Sequence, residues 1–305
     1  MQGRCTLEPA RGLQYPSVSE AEIPHSAFSS SLSLRAEGRI SHFFLPLLLP
    51  ALFTLGGCFN YIGSDGKQDL ESASKSYSTG DNAAVIHYTD DFLSKYSRSD
   101  RADEAYYLRG VAKYNLAKSG EVGLYTAAVA DLQQAFAVSD NPDLRPKAGF
   151  ALGNASYDTG DLVIAERGYR GALVGSDKNP DLASQAYYRL GRTLQREGKW
   201  RDADLQFQKV IHGYNGSEAA RAASVLINAN AWAVQAGSFR KQEDAKKAAD
   251  ALSKRISMSA HAVVVLDGQP RYLVLVGRFG TYEEATGALH RVQAAKSDAF
   301  VTVTR

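Results

Sequence analysis

The sequence predicts an α solenoid of helical hairpins followed by a small α+β domain of order βαββαβ. Two observations carry that expectation. Glycine, alanine and aromatic residues recur at fixed offsets between Leu70 and Asn228, and the step from Gly153 to Gly191, like that from Gly160 to Gly198, is 38 residues. From Ala231 onward the apolar period drops from helical to about two, the spacing of strands. A third observation, an apolar run from Phe43 to Leu55, sets off the front of the chain. The expected division is a leader with an export signal over 1–57, a tether over 58–69, a helical repeat domain over 70–228 and the α+β domain over 229–305.

The apolar run is about 13 residues long, too short for a bilayer-spanning helix, which needs about 20. Pro46 and Pro50 interrupt it, and proline breaks a helix interior. Positive charge at Arg35 and Arg39 precedes it and small residues follow, the layout of a secretory signal. Leu55-Gly56-Gly57-Cys58 resembles the lipobox of bacterial lipoproteins. That resemblance implies lipidation of Cys58 and a membrane partner reached through the anchor, because two or more acyl chains hold stably where one does not. Phe59 stands where such proteins often carry the aspartate of inner-membrane retention, which favours the outer membrane and a periplasmic orientation. Residues 1–38 are polar, rich in serine and proline, and without sustained period. They are expected to lie outside the folded protein, with the true start downstream at Val18, Leu32 or Leu34.

Hydrophobic content of 44%, charged content of 22% and a net charge of +2 describe an ordinary globular chain. No strong field points to nucleic acid. The two cysteines are Cys5 and Cys58, so a processed, lipidated chain has no thiol for a disulfide, nucleophile or metal site.

Phe59–Asp69 holds glycine, serine and aspartate and reads as a flexible tether. In the repeat domain the clearest units place Leu152-Gly153, Tyr157, Gly160-Asp161, Ala165, Tyr169 and Ala172 in register with Leu190-Gly191, Leu194, Gly198, Trp200, Ala203, Phe207 and Val210. Gly153 and Gly191 allow close helix approach, and Gly160 and Gly198 supply the left-handed turn between helices. Two looser units precede them, around Tyr77, Gly80-Asp81, Ile86 and Phe92, and around Tyr106-Tyr107, Gly110, Tyr114, Tyr125, Ala128, Leu132 and Ala135, the latter with an insertion near Lys118–Gly123. Glu218–Asn228 reads as a closing helix. The pattern resembles the tetratricopeptide (TPR) repeat, and the endings FLSKYSRS and VIHGYNGS resemble repeats of envelope lipoproteins. A protein or peptide partner on the concave face is what this resemblance implies.

AWAVQAGSF (Ala231–Phe239), HAVVVL (His261–Leu266), RYLVLVG (Arg271–Gly277) and AFVTVT (Ala299–Thr304) alternate as strands. Gln242–Ile256 carries an apolar stripe at Ala245, Ala248, Ala249, Leu252 and Ile256, and Thr281 with Glu284 forms a capping box for a helix bearing Ala285, Ala288, Leu289 and Val292. This order gives a four-stranded antiparallel sheet with two helices on one face and the other face open.

VQAGSF and YLVLVGRFGTYEEA resemble the SPOR domain of bacterial envelope proteins, whose open face binds peptidoglycan glycan strands lacking stem peptides. By alternation Val234, Val274 and Val276 face the helices, whereas Gln235, Leu273 and Leu275 face outward, with Ser238 at the strand end. The resemblance implies a glycan site of Gln235, Ser238, Arg271, Leu273 and Leu275. The chain departs from the family at Leu273, where arginine is common, and at Arg278, where proline is usual.

Nothing in the sequence points to catalysis, a cofactor or a metal. The six histidines are scattered without metal-ligand spacing. Asp90-Asp91 and Glu283-Glu284 are adjacent on helices, where neighbours do not face each other, so neither forms the acid–base dyad of a glycosidase. The βαββαβ order also occurs in RNA-recognition domains, but those stack bases on outer-face aromatics, and the outward third-strand residues here are leucines. Two expectations remain: a glycan-binding lipoprotein with a protein-docking array, in cell division or wall organisation, or a TPR scaffold for envelope assembly whose SPOR domain binds weakly or not at all.

Overall fold

A computed structural model describes residues 61–175, 178–267 and 269–305. Cys58 and the export signal lie outside the described residues. No described helix is long and apolar enough to cross a membrane.

Among the described residues nine α-helices precede the sheet: α1 (Ser64–Thr79), α2 (Asn82–Tyr96), α3 (Ala102–Lys118), α4 (Tyr125–Val138), α5 (Leu144–Asp158), α6 (Leu162–Ala172), α7 (Pro180–Arg196), α8 (Trp200–Gly213) and α9 (Glu218–Leu226). Their starts follow from local chemistry. The side chains of Asp81, Asp161, Asn179 and Ser217 accept from the backbone N–H of Ala84, Ile164, Leu182 and Ala220. Each such cap is worth about 1 kcal/mol. Pro180 opens α7, where its missing N–H costs no intrahelical bond.

Close packing inside each hairpin explains the repeat. A Cβ on Gly153 would lie 2.6 Å from the ring of Tyr169, and one on Gly191 would lie 2.4 Å from the ring of Phe207. Both aromatics sit sixteen residues beyond their glycine and are fully buried, each contributing about 1.5–3 kcal/mol of transfer free energy. Gly110 meets Leu132 in the same way, at 2.7 Å, but twenty-two residues on. The six extra residues are Lys118–Gly123, which lead into a short 3₁₀ turn at Val122–Leu124. The insertion thus lengthens a loop and leaves the helix contact unchanged. The expected left-handed turns are present, with φ of 81° at Gly160 and 74° at Gly198.

Successive odd-numbered helices touch along the array, α1 with α3, α3 with α5, α5 with α7 and α7 with α9, whereas the even-numbered ones show no contact of that extent. The odd helices therefore line the inside of the curve. At the front the structure corrects the tether. Helix α1 begins at Ser64 because Ile62 and Leu70 bury against Phe92 and Tyr96 of α2. Gly66 packs against the Tyr96 ring.

The remaining chain folds as β1 (Ala231–Phe239), α10 (Gln242–Ile256), β2 (Ala260–Asp267), β3 (Gln269–Phe279), α11 (Tyr282–Gln293) and β4 (Phe300–Thr304). The sheet order is β2-β3-β1-β4, and every neighbouring pair is antiparallel. Its helix-side core joins Val234, Ala236, Val274 and Val276 to Ala245, Ala249, Ala288 and Val292. The capping box forms: Thr281 Oγ1 accepts from Glu284 N–H, and the Glu284 carboxylate accepts from Thr281 N–H.

The sheet and the array meet at one end of β1 and β4. Val303 packs on the core formed by α7, α8 and α9, and the Trp232 ring lies 5.7 Å from that of Trp200 on α8. Arg196 of α7 stacks between Tyr157 and Tyr282, 4.7 Å and 4.5 Å from their ring centres. Asn230 N–H donates to Thr304 O at 2.9 Å, continuing the ladder back to the array.

Candidate functional site

The open face of the sheet is built by register. On β3, Tyr272, Val274 and Val276 belong to the helix-side core, so Arg271, Leu273 and Leu275 lie on the opposite face. Gln235 pairs with Leu275 on β3 and with Phe300 on β4, and His261 of β2 pairs with Leu275 from the other side. One row across the sheet therefore reads His261, Leu275, Gln235, Phe300. A second row reads Val263, Leu273, Ser238.

Gln235 and Ser238 share this face only because of a bulge. They are three positions apart, which in a regular strand puts them on opposite faces. The pairing shifts between Gln235 and Gly237, so Ala236 is the extra residue of a β-bulge. Ala236 buries on the helix side, and Ser238 returns to the outer face opposite Leu273. A glycine within a strand is the sequence signal of such a bulge, and Gly237 is that glycine.

The five residues expected to hold glycan do not all sit alike. Ser238 and Arg271 are exposed and Gln235 and Leu273 half-buried, so none of the four is sealed from water by the helical array. Leu275 is only 3% exposed, which corrects its reading as a contact. Its side chain lies between Gln235 and His261, whose flanking bulk covers it, and it serves as the apolar floor beneath them. Two outer-face residues were missed. Phe300 is 46% exposed and offers an aromatic surface beside Gln235, while His261 is an exposed edge group. Alternation in AFVTVT and HAVVVL carries the signal for both.

Arg278, the second departure from the family pattern, is engaged elsewhere. Its guanidinium donates to Asn230 Oδ1 and to the Arg305 carbonyl, tying β3 to the strand ends next to the array. It takes no part in the outer rows. A second register shift between Trp232 and Val234 places Gly277 at φ 71°, where a Cβ would collide with the Phe279 ring.

The outer face thus offers an amide, hydroxyls at Ser238 and Thr302, an edge guanidinium at Arg271 and apolar platforms at Phe300 and Leu273. Such a surface suits a ligand with hydroxyl and acetamido edges and apolar ring faces. The carboxylate pairs have other roles. Asp90 binds Arg109 at 2.6 Å, Asp91 lies 3.7 Å from His87, and Glu284 completes the helix cap. Among the described residues no three His, Cys, Asp or Glu side chains gather to hold a metal ion.

Residues 228–302 match the SPOR domain family model. Among solved structures, one similar chain is the Rap conjugation gene regulator of the plasmid pLS20 in complex with the Phr* peptide. It shares 17% sequence identity at a TM-score of 0.35, over 79% of this chain and 58% of its own length. No curated protein matches the chain.

Proposed function

We propose that the protein is a cell-envelope lipoprotein that grips peptidoglycan glycan strands with the outer face of its SPOR domain and docks a protein partner on its helical array. It is a binding protein rather than an enzyme, and it acts in cell division or wall organisation. The observation that carries the reading is the outer face itself: Gln235, Ser238, Leu273 and Phe300 stand in two adjacent cross-strand rows, uncovered by helices. Hydrogen bonding to sugar edges and stacking on sugar rings use these groups together. Lipid at Cys58 holds the other end, on the outer membrane facing the periplasm.

Co-sedimentation of the purified protein with peptidoglycan sacculi, before and after amidase removes the stem peptides, tests the glycan reading. Pelleting that increases after amidase supports it, and no pelleting in either state refutes it. For the anchor, Cys58→Ser abolishes incorporation of radiolabelled palmitate; persistent labelling rules out that site.

A second reading is favoured by Leu273 and Leu275. With leucine in place of the family's arginine and its neighbour buried, the face has few charged donors, and the protein then works as a TPR scaffold with a weak glycan hold. Absence of sedimentation, with a protein partner still recovered, selects this reading.

A further inference from the structure

Resting on the protein-docking reading of the array, we infer that its inner groove takes an acidic peptide segment, received by Arg189, Arg192 and Arg196 of α7. These three positions, separated by three and then four residues, share one face of a helix, and α7 lies on the inside of the curve. Each is half-buried. The Arg192 guanidinium lies beside the Tyr157 and Tyr188 phenols, and Arg196, sandwiched between Tyr157 and Tyr282 and donating to the Tyr157 carbonyl at 3.2 Å, closes the end of the groove and adds its charge there. The Nε of Arg192 and that of Arg196 are both buried without a hydrogen-bond partner.

Charge is what singles the groove out. Elsewhere in the array half-buried cations meet carboxylates, as in Arg101 with Glu104, and in Arg109 and Lys113 with Asp131. Among the described residues no carboxylate forms an ion pair with Arg189, Arg192 or Arg196. Asp158, on neighbouring α5, is taken by the Tyr114 hydroxyl at 2.6 Å. Guanidinium forks match carboxylates in two-pronged hydrogen bonds, and the adjoining phenols add donors and apolar faces. A long polyanion is a poorer match, since three cations on one helix do not form a stripe that tracks a phosphate backbone.

A randomised dodecamer peptide display, selected against the immobilised full chain, tests this. Recovered peptides are expected to carry two or more Asp or Glu. A synthetic copy should bind an Arg189→Gln/Arg192→Gln chain at least about tenfold more weakly, as loss of charge-assisted bonds requires, while Arg189→Lys/Arg192→Lys, which keeps the charge but loses the fork, binds with intermediate affinity. If the double variant fails to fold, Arg189→Gln alone should give about threefold weakening, the size of one solvent-accessible ion pair. Neutral or basic peptides, undiminished binding to the glutamine variants, or full displacement by oligo(dT) overturns the acidic preference but leaves peptide docking intact. Recovery of no peptide overturns both.

Discussion

The ring of Trp232 meets that of Tyr282 edge-on, with centroids 4.9 Å apart, and Trp200 closes on it from the array. Trp232 is thereby shared between two cores, the first strand of the sheet and the last hairpin of the array. Truncation to alanine is expected to cost about 3–5 kcal/mol. In urea the parent should unfold in one transition and Trp232→Ala in two, followed by circular dichroism and tyrosine fluorescence. Coincident single transitions in both proteins would show that the shared ring does not couple the parts.

Gly191→Ala tests the hairpin contact. In an open helix this change gains about 1 kcal/mol, but here the added methyl would meet the Phe207 ring at 2.4 Å. Overpacking typically costs 1–3 kcal/mol, so a net loss of about 1–2 kcal/mol is expected by denaturant titration. A stabilised protein would mean that Phe207 has room to swing away.

Asp131 is a buried carboxylate held by Arg109 at 2.6 Å and Lys113 at 2.8 Å. Asp131→Ala strands the half-buried Lys113 and leaves Arg109 with Asp90 alone, and loss of one member of such a group costs about 3–5 kcal/mol. The Arg109→Met/Lys113→Met/Asp131→Leu triple, which leaves no buried charge unpaired, should lose clearly less than Asp131→Ala alone. Equal losses would place the cost in packing instead of charge.

Asp65 gives a pH signature. Hydrogen bonds from Lys95 and Tyr96 hold its carboxylate down at about 2, against an ordinary 3.8. Because the folded value is depressed, its contribution to stability is complete above the ordinary value and is lost as pH falls through about 2. Carboxyl NMR of the protein should show Asp65 titrating well below the other aspartates. A midpoint near 4 would mean that the Lys95 and Tyr96 bonds do not persist in solution.

Gln235→Ala and Phe300→Ala probe the outer face. Both side chains reach solvent, and surface changes usually stay within about 0.5 kcal/mol of parent stability. Each should reduce sedimentation with amidase-treated sacculi while leaving the melting temperature nearly unchanged. A large drop in stability for Gln235→Ala would assign the amide a structural role.

Much of this architecture was legible because its causes are local. Gly153 with Tyr169 and Gly191 with Phe207 repeat at one spacing, and spacing along a helix fixes which groups meet. The capping box at Thr281 is local in the same sense. Leu275 shows where locality ends: its outward phase was correct, but its cover comes from His261 and Gln235 on two other strands. Phe300 and the Arg192 cluster were missed for the same reason, since their significance depends on strand pairing and on Tyr157 from another hairpin. The early start of α1 was obscured because Gly63-Ser64-Asp65-Gly66 has loop composition, and burial of Ile62 and Leu70 against α2 overrides it.

Ala236 makes the length of β1 matter more than its composition. Deleting that one alanine would remove the bulge and leave Gln235 and Ser238 two positions apart, on one face by plain alternation, whereas inserting one residue between them would turn Ser238 inward and Phe239 outward. Variants in this segment should therefore tolerate loss of Ala236 better than the gain of a residue, and a frame of pairing, rather than any single contact, is what inheritance at this strand has to protect.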